Sequence, residues 1–584
     1  MPGSSRLPVS LRDSFAVAQQ ASGRQRILSL SINTYVLRNL VFALFLLRWS
    51  RVFLLNLRGY GLLGSLRRIY AAVRRAAYGV FFRLPVVRGR IRAQVDEAIG
   101  QLERKLVPAG PDVQRFTRLP PEAWSDERVQ RELETLAGME HTRWEDGRVS
   151  GAVYHGGKDL ARIQTEAYEM FAVANPIHPD VFPGVRKMEA EIVAMVLSMF
   201  NAPEGAAGVT TSGGTESILS AVLSAREKAR AERGITEPEM ILPETAHTAF
   251  RKGGTYFGIK IHYVPCPAPT YKAQTSRISR LINRNTILLV GSAPNFPHGI
   301  IDDIAALSRL AVRHKLPLHV DCCLGSFLMP FLSRAGFPSE TVDFRLPGVT
   351  SISVDTHKYG FAPKGNSCLL YRTRALRAHQ YFVCPDWPGG VYASPGLAGS
   401  RPGALIAATW ASLVRTGEEG YVSATHRIVG AAKRLEDALR RHPGLAPHLR
   451  VLGRPLVSCV AFGGAPAGAG AAAGAADGGV NVYAVADAMA ARGWHLNALQ
   501  DPPAVHVAVT VPVSGAVEEL IGDLVASGKE GAKEEKIREM RGQAVNGKKK
   551  DGDNAVLYGV AGSLPHKGVV VELARGFLDT LYKA

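Results

Sequence analysis

The chain has 584 residues, 46% hydrophobic and 21% charged, which excludes a disordered or fibrous protein and exceeds one ordinary domain. Its formal charge of +19 is lopsided, because residues 1–95 carry sixteen arginines, no lysine and a single acid, Asp13. With the remainder close to neutral, a globally basic nucleic-acid binder is excluded and the N-terminal segment stands out as specialised.

The first predicted element is "LVFALFLLRWSRVFLLNL", residues 40–57, which as a helix extends about 27 Å. Arg48 and Arg51 interrupt it, each costing about 2.5 kcal/mol or more near a bilayer centre, so a clean single span is marginal. Paired arginines at 67–68 and 74–75, with apolar residues between them, fit a helix lying on an acidic membrane surface. A membrane anchor is therefore expected here. Two alternatives stay open: a transit peptide, from the Arg- and Ser-rich first thirty residues, and an arm around a partner subunit.

From about Asp112 the composition becomes that of a soluble domain. "RKMEAEIVAMVLSMF", opened by Pro183 and Gly184, predicts a helix with an apolar face. "GVTTSGGTESILSAVLSAREKARAERG" predicts a short strand, a glycine pair and a long helix from near Thr215. Strands are expected at "EMILPE", "IKIHYVP", "NTILLVGSAP", "LPLHVD", "TSISVD" and "SCLLYR", with helices such as "DIAALSRLAVRHK" between them. This alternation predicts an α/β fold, a mostly parallel sheet flanked by helices, with ligands at the carboxyl ends of the strands.

Beyond Arg401, "PLVSCVAFGG" and "AVHVAVTV" around a helix at "NVYAVADAMAARG" predict a smaller C-terminal α+β domain. The expected divisions are 1–110 for the Arg-rich anchor and arm, 111–400 for the large domain with its own arm, and 401–584 for the small domain. "GGAPAGAGAAAGAADGG" reads as a flexible loop insertion, and the Lys/Glu-rich stretch 528–554 as a charged surface. The six cysteines form no CxxC pair, so neither a disulfide framework nor a metal site is expected, and a reducing compartment fits better.

Taken singly, the polar residues at the strand ends are unremarkable: a surface lysine, a helix cap, a structural carboxylate. Together they make a device. Gly213, Gly214 and Thr215 offer backbone N–H groups and a hydroxyl at a helix start, which suits a phosphate. Asp321 ends one strand, where a carboxylate can hold a protonated ring nitrogen, and His247 follows another, where an imidazole can stack on a flat ring. Lys358 follows a third and supplies an amine nucleophile. A phosphate cradle, an acid for a pyridine nitrogen and an amine are what a pyridoxal phosphate site requires.

The stretches "YHGG" at Tyr154, "NPIHPDVFPGVRKMEAE", "TTSGGTES", "SAPNFPHGIID", "HVDCCLG", "SVDTHKYGFAPKG", "SPGLAGSR" and "LYGVAG" near Tyr558 run in that order along the chain. Through them the chain resembles the group II decarboxylase family of fold-type I pyridoxal-phosphate enzymes, and within it the sphingosine-1-phosphate lyases. The resemblance implies that Lys358 bonds the cofactor, Asp321 pairs with its ring nitrogen and His247 stacks on the ring. It implies that Gly214, Thr215 and His357 hold the cofactor phosphate, and that a homodimer's partner chain contributes through Gly399 and Ser400. Tyr154, Asn175, His178 and Lys364 match positions holding the substrate's own phosphate, and Tyr558 matches an active-site tyrosine. Read as residues alone, Asn175 and His178 also suit turn caps beside Pro176 and Pro179, and Tyr154 suits a core position. His298 is given no chemical role.

The same resemblance implies retro-aldol cleavage of a phosphorylated sphingoid base to a long-chain aldehyde and phosphoethanolamine. It also implies an endoplasmic reticulum anchor with the catalytic part facing the cytosol. An amino-acid decarboxylase of the same fold is the alternative reading.

Overall fold

The computed structural model describes residues 10–81, 84–107, 115–139, 141–465, 480–540 and 568–583. The chain divides into two compact units, Met1–Ala71 and Ala72–Ala584. A helix runs over Ser10–Phe81 and is broken at Gly61, where φ is 72° and ψ 174°. Its Thr34–Phe81 portion is long and apolar enough to cross a membrane, with a mean hydropathy of 1.7 over its most apolar window. The consecutive residues Leu44, Phe45, Leu46 and Leu47 are each about half exposed. Across that stretch all sides of the helix are exposed, whereas Tyr60 and Ser65 further along it are buried.

In the second unit the expected strands form one seven-stranded sheet. They are β1 (Ala207–Thr211), β2 (Glu239–Pro243), β3 (Lys260–Val264), β4 (Thr286–Ser292), β5 (Leu318–Asp321), β6 (Val349–Val354) and β7 (Ser367–Tyr371). Their order is β1-β7-β6-β5-β4-β2-β3. Within this sheet β7 runs against both neighbours, and the other strands share one direction. Residues 355–366, which carry both Lys358 and Lys364, are thus a reversal at the sheet's carboxyl edge rather than a crossover.

Local sequence explains the layers. All seven residues of β4 are buried, as expected of a parallel strand covered on both faces. Ile218, Val222, Ala225 and Ala229 share one stripe of the helix Gly214–Arg233. They pack with Met240 and Leu242 of β2, Phe250, and Ile287, Leu288 and Val290 of β4. Each large aliphatic side chain buried there contributes about 1.5–3 kcal/mol. The helix stops at Gly234, whose φ of 61° makes it a left-handed cap.

A second, antiparallel sheet has the order β10-β11-β13-β12, from β10 (Leu449–Val451), β11 (Cys459–Gly464), β12 (Asn497–Leu499) and β13 (Ala504–Ala508). The expected strands became β11 and β13, and the expected helix is Val482–Ala491. The three-residue strands β10 and β12, and the hairpin of β8 (Phe382–Cys384) with β9 (Tyr392–Ser394), are too short for periodicity to reveal. The long helix Gly403–Arg441 is broken at Gly417. Residues 466–479 of the Gly/Ala run lie outside the described residues, as do 541–554 of the Lys/Glu-rich stretch, whose earlier part continues the helix Val517–Met540.

Candidate active site

The carboxyl edges of β1, β2, β5 and β6 bring four sequence segments to one side of the sheet. After β1 the chain turns through Ser212 and Gly213 into the helix Gly214–Arg233, whose first-turn N–H groups have no intrahelical acceptor. A Cβ on Gly214 would lie 2.8 Å from Cys323 Sγ and 2.9 Å from either carboxylate oxygen of Asp355. Glycine is therefore demanded by close approach. A Gly214→Ala variant is expected to displace this helix start and weaken cofactor binding by about tenfold or more, read by titrating the cofactor's visible absorbance.

Asp321 is buried, and its Oδ1 accepts from the Cys323 backbone N–H at 3.1 Å and the Ser353 hydroxyl at 3.3 Å. Behind it, His319 is fully buried between Ser351 at 2.8 Å and Ser353 at 3.2 Å. Burial pulls the His319 imidazole down to about 4, opposed by the Asp321 charge, so the ring is neutral at pH 7. Because the Ser353 hydroxyl hydrogen goes to Asp321, His319 Nε2–H donates to Ser353 and Nδ1 accepts from Ser351. This relay fixes the carboxylate's orientation. The sequence displayed it only as alternate serines in "TSISVD".

The reversal after β6 places the amines. Lys358 Nζ lies 2.8 Å from Asp355 Oδ2, and His357 Nε2 lies 3.7 Å from the same oxygen. Burial pulls the Lys358 ammonium down, but the adjacent Asp355 carboxylate outweighs it and the group ends raised. Burial pushes Asp355 up, and the charges of Lys358 and His357 then hold it below its usual range. A Cβ on Gly360 would strike the Thr356 carbonyl at 2.5 Å, so this reversal also requires glycine. Around it, the Tyr421 hydroxyl donates to the Gly360 carbonyl at 2.8 Å, Tyr359 to the Val509 carbonyl at 2.9 Å, and Thr356 to Asn366 at 2.8 Å.

Lys364 is exposed as a residue, but its ammonium returns to the site. It donates to the His357 carbonyl at 3.3 Å and stands 4.5 Å from the centre of the Tyr154 ring. Burial and the Lys358 charge pull it down to about 8. Tyr154 packs edge-on against Tyr359 at 4.9 Å. Burial pushes its phenol up to about 12, so it stays protonated and able to donate.

The other expected residues are placed as follows. Thr215 is exposed in the first turn of its helix. His247 is exposed four residues beyond β2, and its Nδ1 accepts from the Ala249 N–H at 3.2 Å, capping the helix Thr248–Tyr256. Asn175 joins the other loop: its Nδ2 donates to Ser400 at 3.0 Å and its Oδ1 accepts from the Arg401 N–H at 3.2 Å. It also caps its own turn through the Ile177 N–H at 3.3 Å. His178 and Gly399 flank this cluster, with His178 exposed. Among the described residues no hydrogen bond joins the Asn175–Ser400 cluster to Tyr154, Lys358 or Lys364. Tyr558 lies outside the described residues. Asp355, unassigned by sequence, is the principal addition; its signal was an acid at a strand end three residues before the key lysine.

The residues fit a phosphopyridoxal group. A cradle that a Cβ would fill lies at a helix start, and the buried atoms Asp355 Oδ1 and His357 Nδ1 have no hydrogen-bond partner. Fold and site together define a pyridoxal-dependent enzyme of the decarboxylase class, and the family profile described as "Pyridoxal-dependent decarboxylase conserved domain" matches residues 119–451. The chain is 44% identical to the sphingosine-1-phosphate lyase of Saccharomyces cerevisiae, covering 94% of this chain and 89% of that one. It is 39% identical to sphingosine-1-phosphate lyase 1 of Mus musculus, covering 90% and 87%. A solved sphingosine-1-phosphate lyase of Burkholderia pseudomallei superposes with a TM-score of 0.68 at 41% identity, over 75% of this chain and 98% of that one. The chain belongs to the sphingosine-1-phosphate lyase family.

Proposed function

We infer that the chain is a pyridoxal-phosphate-dependent lyase that splits phosphorylated sphingoid bases, sphingosine 1-phosphate among them, into a long-chain aldehyde and phosphoethanolamine. The observation that carries this reading is the pair of lysines on one reversal. Lys358 is bedded beside the cradle, while Lys364 folds back over Tyr154 to offer a second cation on the same side. A second phosphate site beside the cofactor amine suits a substrate bearing its own phosphate, whereas an α-amino acid needs only a carboxylate partner.

When bound, pyridoxal phosphate supplies the electron sink that makes breaking the substrate's C2–C3 bond feasible. Lys358 holds the cofactor, and the N–H groups of Gly214 and Thr215, with His357, hold its phosphate. Asp321, oriented by Ser353 and His319, would pair with the ring nitrogen and keep it protonated, and His247 would lie against the ring. Lys364 and Tyr154 donate to the substrate phosphate, the phenol remaining protonated through its burial. Loss of the C3 hydroxyl proton and gain of one proton at C2 complete the reaction without water. Lys358 and a tyrosine, Tyr558 among the choices, are the groups proposed to move those protons.

We further propose a homodimer in which Gly399 and Ser400 complete the cofactor site of the other subunit, with Asn175 and His178, grouped with them, reaching the substrate phosphate. Their clustering with one another, apart from Lys364, supports it. The proposed divisions are 1–110, 111–400 and 401–584. The apolar N-terminal helix suits a substrate whose tail resides in a bilayer. We place it in the endoplasmic reticulum membrane with the catalytic part facing the cytosol.

Parallel incubations with sphingosine 1-phosphate, unphosphorylated sphingosine, glutamate and aromatic amino acids test the reading. Consumption of the first alone is expected. Carbon dioxide release from an amino acid, without aldehyde, would establish a decarboxylase instead.

A further inference from the structure

Asp355 has no task in the reaction as described. It is 1% exposed, lies one residue beyond β6, and has one oxygen 2.8 Å from Lys358 Nζ and the other without a hydrogen bond. The titratable groups that face this pair come from four places. Lys358, His357 and Lys364 belong to the same reversal, Cys322 and Cys323 follow β5, Cys368 lies on β7, and Tyr154 precedes the helix Lys158–Met170. Of these, only the Lys358 ammonium stands at bonding distance. A buried carboxylate is costly unless a cation and hydrogen bonds compensate it. The chain therefore builds a charge pair at the mouth of the cradle, with Gly214 backed directly against the carboxylate.

Resting on the assignment of Lys358 as the cofactor amine, we infer that Asp355 is a positioning residue that receives the Lys358 ammonium whenever the amine is not bonded to the cofactor. It keeps the side chain aimed at the cradle between turnovers and while the cofactor is absent. The same contact restrains reactivity. Only the neutral amine adds to the cofactor aldehyde, its nitrogen bonding the carbonyl carbon and one water leaving. The Asp355 charge stabilises the protonated, unreactive form, consistent with the raised Lys358 ammonium.

The test uses the full chain freed of cofactor, as wild type and as Asp355→Asn. Pyridoxal phosphate is added across a range of pH, the adduct is reduced with borohydride at timed intervals, and peptide masses locate it. Wild-type labelling of Lys358 is expected to keep accelerating up to about pH 10, the ordinary lysine range. In Asp355→Asn the profile moves to lower pH by at least about one unit, giving about tenfold faster labelling at pH 7.5. Superimposable profiles with the label on Lys358 overturn the inference and leave the functional reading intact. A label on another lysine overturns the functional reading itself. Should the variant not fold, the wild type alone decides, since a rate plateau below about pH 9 contradicts the inference.

Discussion

Replacing Lys358 by leucine is expected to remove the cofactor's covalent attachment and turnover together, with activity falling by about 10⁴-fold or more. Leucine retains most of the side chain's volume but deletes the amine bedded beside the cradle. Lys364 cannot substitute, because its ammonium is already engaged with the His357 carbonyl and the Tyr154 ring. The variant also strands Asp355, buried and without its cation, a loss of about 3–5 kcal/mol. The sign of its pH dependence follows. With the Lys358 charge gone, burial raises the Asp355 carboxyl above its unfolded value, so the variant regains stability as pH falls and loses it as pH rises. Borohydride trapping, turnover and thermal unfolding at two pH values check the set. Retained turnover would refute the assignment of Lys358.

Replacing Lys364 by alanine separates the two lysines. The cofactor should bind and absorb as in the wild type, because Lys364 touches neither Asp355 nor the helix start. Use of the phosphorylated substrate should fail. Losing one charge-assisted contact to a recessed phosphate costs about 2–4 kcal/mol, or roughly 30- to 1000-fold in kcat/KM. The wild type carries the same signature in its pH profile. Burial and the Lys358 charge bring Lys364 down to about 8, so kcat/KM for phosphorylated substrate should fall as pH rises through that value. The fall should be absent from Lys364→Ala. An unchanged kcat/KM in the variant, or loss of the cofactor spectrum, would contradict the division of labour.

Most of the central sheet was legible because its signals are local. Val, Ile and Leu runs ending in Asp321, Asp355 or Pro243 mark buried strands, and "TTSGGTES" marks a strand, a close turn and a helix start. The antiparallel sense of β7 was not legible. It depends on the length and packing of the reversal at 355–366, and strand periodicity carries no direction. The residues proposed for the cofactor half of the site follow strand ends, which parallel topology brings to one edge. What held those groups in place was hidden. The His319–Ser353 support of Asp321 arises from register between β5 and β6, which is long-range information, and the Asp355–Lys358 pair depends on how the reversal after β6 folds. Asn175 illustrates a double reading, since it caps a turn and also binds the loop carrying Ser400.

The most direct measurement of the central claim is product analysis of sphingosine 1-phosphate turnover by the intact enzyme in deuterated water. The mechanism predicts one long-chain aldehyde for each phosphoethanolamine, with one deuterium on the phosphoethanolamine carbon that bore the broken bond and none added to the aldehyde chain. Unequal yields, carbon dioxide, or phosphoethanolamine without deuterium at that carbon would contradict cleavage by a retro-aldol lyase.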